Sequence, residues 1–250
     1  MRIVLLGAPG SGKGTQAQRL AREHAMPQIS TGDLLRAAVT AGSPLGKQAQ
    51  AAMDAGGLVA DAIVLGIIAE RLAAADVGSG FVLDGFPRNI AQATALDAML
   101  GKLGQPLDAV TLMEVDRDEI VRRIAGRWTC RDCGRVFNLS AAAGGDAPQD
   151  TCPNHDGPHQ LFQRPDDNAQ TVAERLKVYE EKTKPLVDFY RERGLLRAIK
   201  AEGTVGEVAA RLDAALGIAK RTPLAGRHRP PAGASSAPGT RQRTTPKRSR

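Results

Sequence analysis

Short, largely apolar runs alternate with longer stretches of helical periodicity from residue 2 to residue 217. Ile3–Leu6, Phe81–Leu83, Ala109–Val115 and Leu195–Ile199 read as buried strands, with Pro27–Ser30 a shorter fifth. Between them, apolar positions recur at helical spacing over about 13–24, 31–55, 61–75, 89–103, 117–125, 168–192 and 204–217, the second stretch being broken near Gly42-Ser43-Pro44. Alternation of this kind predicts an α/β fold: a parallel five-stranded sheet covered by helices on both faces.

Two segments fall outside the alternation. Residues 126–167 hold all three cysteines and are too long for a plain connection, so they need a staple or a function. Residues 220–250 are rich in Pro, Gly, Ser, Thr and Arg and are expected to form a disordered tail. The charge changes character when that tail is set aside. Of 34 Lys and Arg, nine lie in 220–250, which contains no acid, leaving 25 bases against 27 acids in the rest. The net charge of +7 is therefore a property of the tail. With only eight aromatic residues to stack on bases, the chain makes a poor specific nucleic-acid binder, although the tail suits weak contact with anionic partners.

At 250 residues and 42% hydrophobic, the chain can bury a substantial core. No apolar run approaches the ~18 residues of a membrane span. Arg2–Leu6 is too short for a secretion signal, so a cytoplasmic location is expected.

Gly7-Ala8-Pro9-Gly10-Ser11-Gly12-Lys13-Gly14-Thr15 follows the first strand and opens the first helix, which is a P-loop in its required context. Backbone N–H groups of such a loop turn inward on phosphate oxygens, and Lys13 adds a point charge. Gly14 stands where most P-loops carry the Ser or Thr that ligates magnesium, so the metal must lean on nucleotide phosphates, water and a carboxylate. Asp84, at the end of the strand 81–83, is the candidate.

Further motifs follow in order: Ser30-Thr31-Gly32-Asp33-Leu34-Leu35-Arg36; Asp84-Gly85-Phe86-Pro87-Arg88 with Gln92; Arg123 and Arg127; then Arg164-Pro165-Asp166-Asp167 with Arg175. With the Gly14-Thr15 variant, this set closely resembles the adenylate kinases over residues 1–217. The resemblance implies a P-loop NTPase-type sheet with core segments 1–30, 61–125 and 168–219. It also implies an AMP-binding flap at 31–60 and a lid at 126–167. The implied reaction is reversible, magnesium-dependent phosphoryl transfer from ATP to AMP, giving two ADP, by a monomer.

Arginines suit such chemistry because a planar guanidinium clamps phosphate bidentately and keeps its proton. By resemblance, Gly10, Ser11, Gly12, Lys13, Gly14, Thr15, Arg123, Arg127, Val136, Phe137 and Lys200 surround ATP, with Lys200 acting through its backbone. Thr31, Arg36, Gly57, Leu58, Val59, Gly85, Phe86, Pro87, Arg88, Gln92, Arg164 and Arg175 surround AMP. Lys13, Asp84, Arg88, Arg127, Arg164 and Arg175 carry the transfer. Thr31 and Gln92 favour AMP as acceptor, since pyrimidine-directed relatives usually have Ala and Asn near those positions; a kinase of other base preference is the nearest rival.

Within the lid, Cys130-x2-Cys133 and Cys152-x2-His155 have the spacing of a structural zinc site. His155 is expected as the fourth ligand, with Asp156 and His159 close to it in sequence.

Overall fold

The structure, a computed structural model, describes residues 1–139, 148 and 150–218. The expected tail at 220–250 and part of the 126–167 segment lie outside them.

Five parallel strands form the central sheet: β1 (Arg2–Leu6), β2 (Gln28–Ser30), β3 (Phe81–Asp84), β4 (Ala109–Glu114) and, last in the chain, β8 (Leu196–Lys200). Their spatial order is β2-β3-β1-β4-β8. β1 lies in the middle, in register with β3 (Leu5 opposite Asp84) and with β4 (Leu6 opposite Leu112). Successive strand side chains face opposite sides, and here both sides are dry. Val4 and Leu6 pack with Phe81, Leu83, Ile68, Leu96 and Tyr190. Ile3 and Leu5 pack on the other face with Val82, Leu20, Val208 and Leu212. This is why the strands read as apolar runs rather than as alternating ones.

The first face is covered by α4 (Asp61–Leu72), α5 (Ile90–Lys102) and α8 (Leu186–Glu192), the second by α1 (Lys13–His24) and α9 (Val205–Leu216). α2 (Thr31–Thr40) and α3 (Pro44–Asp54) stand between β2 and α4. The break between them is capped by Ser43, whose Oγ accepts from the Gly46 N–H at 3.0 Å, with Pro44 opening the new helix.

A single helix over 168–192 is not what forms. α7 (Ala169–Val178) passes into a π-turn over Tyr179–Thr183, closed by the Lys184 N–H on the Tyr179 carbonyl at 2.8 Å, before α8 begins. Pro185 has no N–H to continue an α-helical ladder there, and the wider turn accommodates it.

After α6 (Arg117–Ala125), the chain leaves the main sheet and builds a small antiparallel one: β5 (Arg127–Cys130) between β6 (Val136–Asn138) and β7 (Leu161–Phe162). Cys130 stands opposite Leu161, so this sheet joins the beginning and end of the cysteine-bearing segment.

Candidate functional site

The turn from β1 into α1 approaches its surroundings so closely that side chains are excluded. At Gly7 (φ 145°) an added Cβ would lie 2.7 Å from the Met113 carbonyl oxygen, and at Gly10 (φ 84°) 2.8 Å from the Ile124 side chain. Lys13, the first residue of α1, bends back into the loop, its Nζ donating to the carbonyls of Gly7 at 2.7 Å and Ala8 at 2.8 Å. Burial lowers its ammonium to about 8, opposed by Asp84 and reinforced by Arg88, Arg175 and Arg127. Burial also raises the Asp84 carboxyl, against the attraction of Lys13. A Cβ on Gly14 would lie 3.3 Å from Asp84 Oδ2. The carboxylate thus stands beside the position where other P-loops carry a hydroxyl.

Above the C-terminal edge of the sheet, where open α/β folds bind ligands, lies a cleft of about 580 Å³. The P-loop from Pro9 to Gln16, Arg123, Val136, Phe137 and Gly203–Val205 line it. So do Ser30, Gly32, Arg36, Leu58, Asp84 and Gly85–Arg88, together with Arg127, Arg164 and Arg175. Arginines from five separate segments therefore converge on one space.

Each of these arginines is held. Arg127 Nε donates to Asp167 Oδ2 at 2.8 Å, and Arg175 Nη1 donates to Asp166 Oδ2 at 2.8 Å. Arg164 Nε donates to Thr129 Oγ1 at 3.1 Å, and its Nη2 lies 3.9 Å from Asp33, the acid that also pairs with Arg36. Arg88 Nε donates to the Gly85 carbonyl at 2.8 Å, and its own carbonyl accepts from Thr183 Oγ1 at 2.8 Å. Burial, then the neighbouring cations Arg175 for Arg88 and Arg36 for Arg164, lowers both guanidinium groups to about 10. Burial lowers Arg175 as well, against the pull of Asp166. Arg88 and Arg164 remain cationic at neutral pH, and Arg88 and Arg175 repel each other.

Some expected site residues do not line the cleft. Thr31 is buried and donates its hydroxyl to the Gly85 carbonyl at 2.8 Å. Gln92 is buried against Asp61 and the Arg88 backbone. Gly57 and Val59 flank Leu58, which does line it. The Lys200 carbonyl accepts from Arg211 at 2.7 Å, and the rim beside it is formed by Ala201, Gly203, Thr204 and Val205 instead. Asp33 and Asp61 were missed by sequence reasoning. Asp33 has an i,i+3 signal toward Arg36, whereas the partners of Asp61 are 28 and 31 residues away and leave no local trace.

The small antiparallel sheet and the turns beside it gather Cys130, Cys133, Cys152 and His159, not His155, within 4.8 Å of one another. Cys130 Sγ and Cys152 Sγ are 3.9 Å apart, and Cys133 Sγ is 3.6 Å from His159 Nδ1. A tetrahedral zinc with ordinary ligand distances requires edges of about 3.8 Å between sulfurs and about 3.5 Å from sulfur to nitrogen, so the donor set fits. His159 Nε2, on the far side of the ring from Cys133, is buried without a hydrogen-bond partner, with the nearest carboxylate, Asp150, 3.7 Å away. His159 reaches the cysteines because the β5–β7 pairing, with the Arg131 N–H on the Gln160 carbonyl at 2.8 Å, carries residue 159 to them. The turn after Cys152 leaves His155 partly exposed and paired with Asp132 at 3.0 Å.

A family model described as Adenylate kinase matches residues 5–195. The chain is 52% identical to an adenylate kinase of Nitrosococcus oceani over 221 residues, covering 88% of this chain and all of that protein. It is 49% identical to one from Thermodesulfovibrio yellowstonii over 83% of this chain and 95% of that protein, and 49% identical to one from Syntrophobacter fumaroxidans over 87% and 100%.

Proposed function

The chain belongs to the adenylate kinase family, whose reaction moves a phosphoryl group between ATP and AMP, and we propose that its residues divide that work as follows. The P-loop from Gly10 to Thr15 cradles the ATP phosphates, with Lys13 leaving the Gly7 and Ala8 carbonyls to meet them. Arg123, Val136 and Phe137 flank the same nucleotide, and Gly203–Val205 take the place expected of Lys200 beside its base. Arg36 and Arg88 hold the AMP phosphate. Arg127, Arg164 and Arg175 surround the group in flight, where charge spreads over the equatorial oxygens and fixed cations lower the barrier. Thr31, Gln92 and the backbone around Leu58 form the acceptor-base subsite, reached when the flap at 31–60 closes.

Asp84 and the nucleotide phosphates would hold magnesium, which neutralises phosphate charge when bound. Cys130, Cys133, Cys152 and His159 would hold a structural zinc that fastens the lid at 126–167, a segment too small for a core of its own. The enzyme acts as a cytosolic monomer; among the described residues no helix is long and apolar enough to cross a membrane.

The observation that carries this reading is the convergence of five arginine-bearing segments and the P-loop on one cleft. An ADP-formation assay with Mg-ATP and AMP, CMP, UMP or GMP in turn tests it. Selective turnover of AMP is expected; folded protein inert toward all four would overturn it.

A further inference from the structure

Gln92 is 1% exposed, and its carboxamide is held from both sides. Oε1 accepts from the Arg88 N–H at 2.7 Å, and Nε2 donates to Asp61 Oδ1 at 2.7 Å. A backbone N–H can only donate and a carboxylate can only accept, so the two partners allow the amide one orientation. Asp61 is fixed in turn: Asn89 Nδ2 donates to its two oxygens at 3.1 and 3.2 Å, while Asn89 Oδ1 caps α5 on the Gln92 N–H at 2.8 Å. Turning the amide over would aim Nε2 at the Arg88 N–H and Oε1 at the Asp61 carboxylate, two repulsive contacts in a buried position.

After these bonds, the Gln92 carboxamide retains one N–H and one oxygen lone pair. Adenine offers the complement, an acceptor at N1 beside a donor at N6. Hypoxanthine and guanine offer the reverse, a donor at N1 beside an acceptor at O6. A freely turning amide could serve either pattern; a fixed one serves adenine. We propose that Asp61, at the start of α4 and outside the cleft wall, sets the acceptor-base specificity by locking the Gln92 carboxamide in its adenine-reading orientation. Asp61 is a positioning residue here, and the inference rests on the reading that Gln92 faces the acceptor base.

The test compares kcat/KM for AMP and IMP, which differ in the base edge at N1 and C6. Wild type, Asp61→Asn, Asp61→Leu and Gln92→Ala are assayed at saturating Mg-ATP, with the melting temperature and KM for ATP of each; either folded Asp61 variant suffices. The wild type is expected to prefer AMP strongly. The Asp61 variants should lose at least about tenfold of that preference, as expected when a hydrogen bond to a charged group no longer enforces one pattern, with KM for ATP unchanged. If AMP and IMP activities fall by the same factor and their ratio stays at the wild-type value, Asp61 serves structure alone and the proposal fails. If Gln92→Ala leaves both AMP activity and the ratio untouched, Gln92 does not meet the base, and the underlying reading fails first.

Discussion

Arg127 opens β5, and Asp167 stands 40 residues later, just before α7, yet the Arg127 guanidinium closes a two-point ion pair on the Asp167 carboxylate. The same acid lies 3.4 Å from Arg175. One carboxylate thus aligns two cations, one from β5 and one from α7. If the site works by positioned charge, removing either cation should cost turnover even where the chain still folds. Arg127→Ala and Arg175→Ala are each expected to lower kcat by about 10² or more in protein that stays folded. Near-normal turnover in either variant would remove that residue from the transfer machinery.

The Lys13 ammonium, lowered to about 8 chiefly by burial, gives nucleotide binding a pH signature. Bound phosphate favours the charged form, so binding near pH 8 to 8.5 should take up protons, and ATP affinity should weaken as pH rises through about 8. Calorimetry in two buffers of different ionisation enthalpy measures the uptake, which Lys13→Met should abolish. For stability the sign is opposite to that of a paired lysine. The folded value lies below the ordinary lysine value of 10.5, so the penalty for burying the charge is fully present below about 8 and is relieved as pH rises toward 10.5.

Metal analysis of the purified chain should find about one zinc per molecule. His159→Ala should lower that content and the melting temperature, whereas His155→Ala should retain the metal. The reverse result would restore His155 as the ligand and discard the geometry at His159.

Arg19 is 7% exposed and closes a fork on Asp213, joining α1 to α9 at 2.5 and 3.0 Å. Asp213→Ala leaves this buried guanidinium with a poorer partner set and should cost about 3–5 kcal/mol in urea unfolding. An Arg19→Met, Asp213→Leu double variant should recover most of the loss. A double variant no better than the single would show that the pair contributes more than the avoidance of an unpaired charge.

The central sheet was legible because β1, β3 and β4 are buried on both faces and so leave unbroken apolar runs. β5, β6 and β7 were not, because Trp128, Val136 and Phe162 are only half buried and their strands take their order from partners distant in sequence. The P-loop and the arginines could be read because phosphate chemistry dictates residue type at fixed spacing. The fourth position of the cysteine cluster could not, since spacing from Cys152 favoured His155 while strand pairing supplied His159. Asp61 was invisible for a similar reason: its role arises where the beginnings of α4 and α5 meet.

Lys13, Arg88, Arg164 and Arg175 are each held below their ordinary values partly by other cations around the same cleft. The fold therefore contains a repulsion that a polyphosphate guest in this cleft would cancel, which would make the bound nucleotide a structural component. At a hundred times its dissociation constant, a nucleotide adds about 2.7 kcal/mol to the stability of the chain it binds. A cell that exhausts its adenine nucleotides would then find this protein opening more often and reaching its proteases sooner, so that its lifetime follows the pool it maintains.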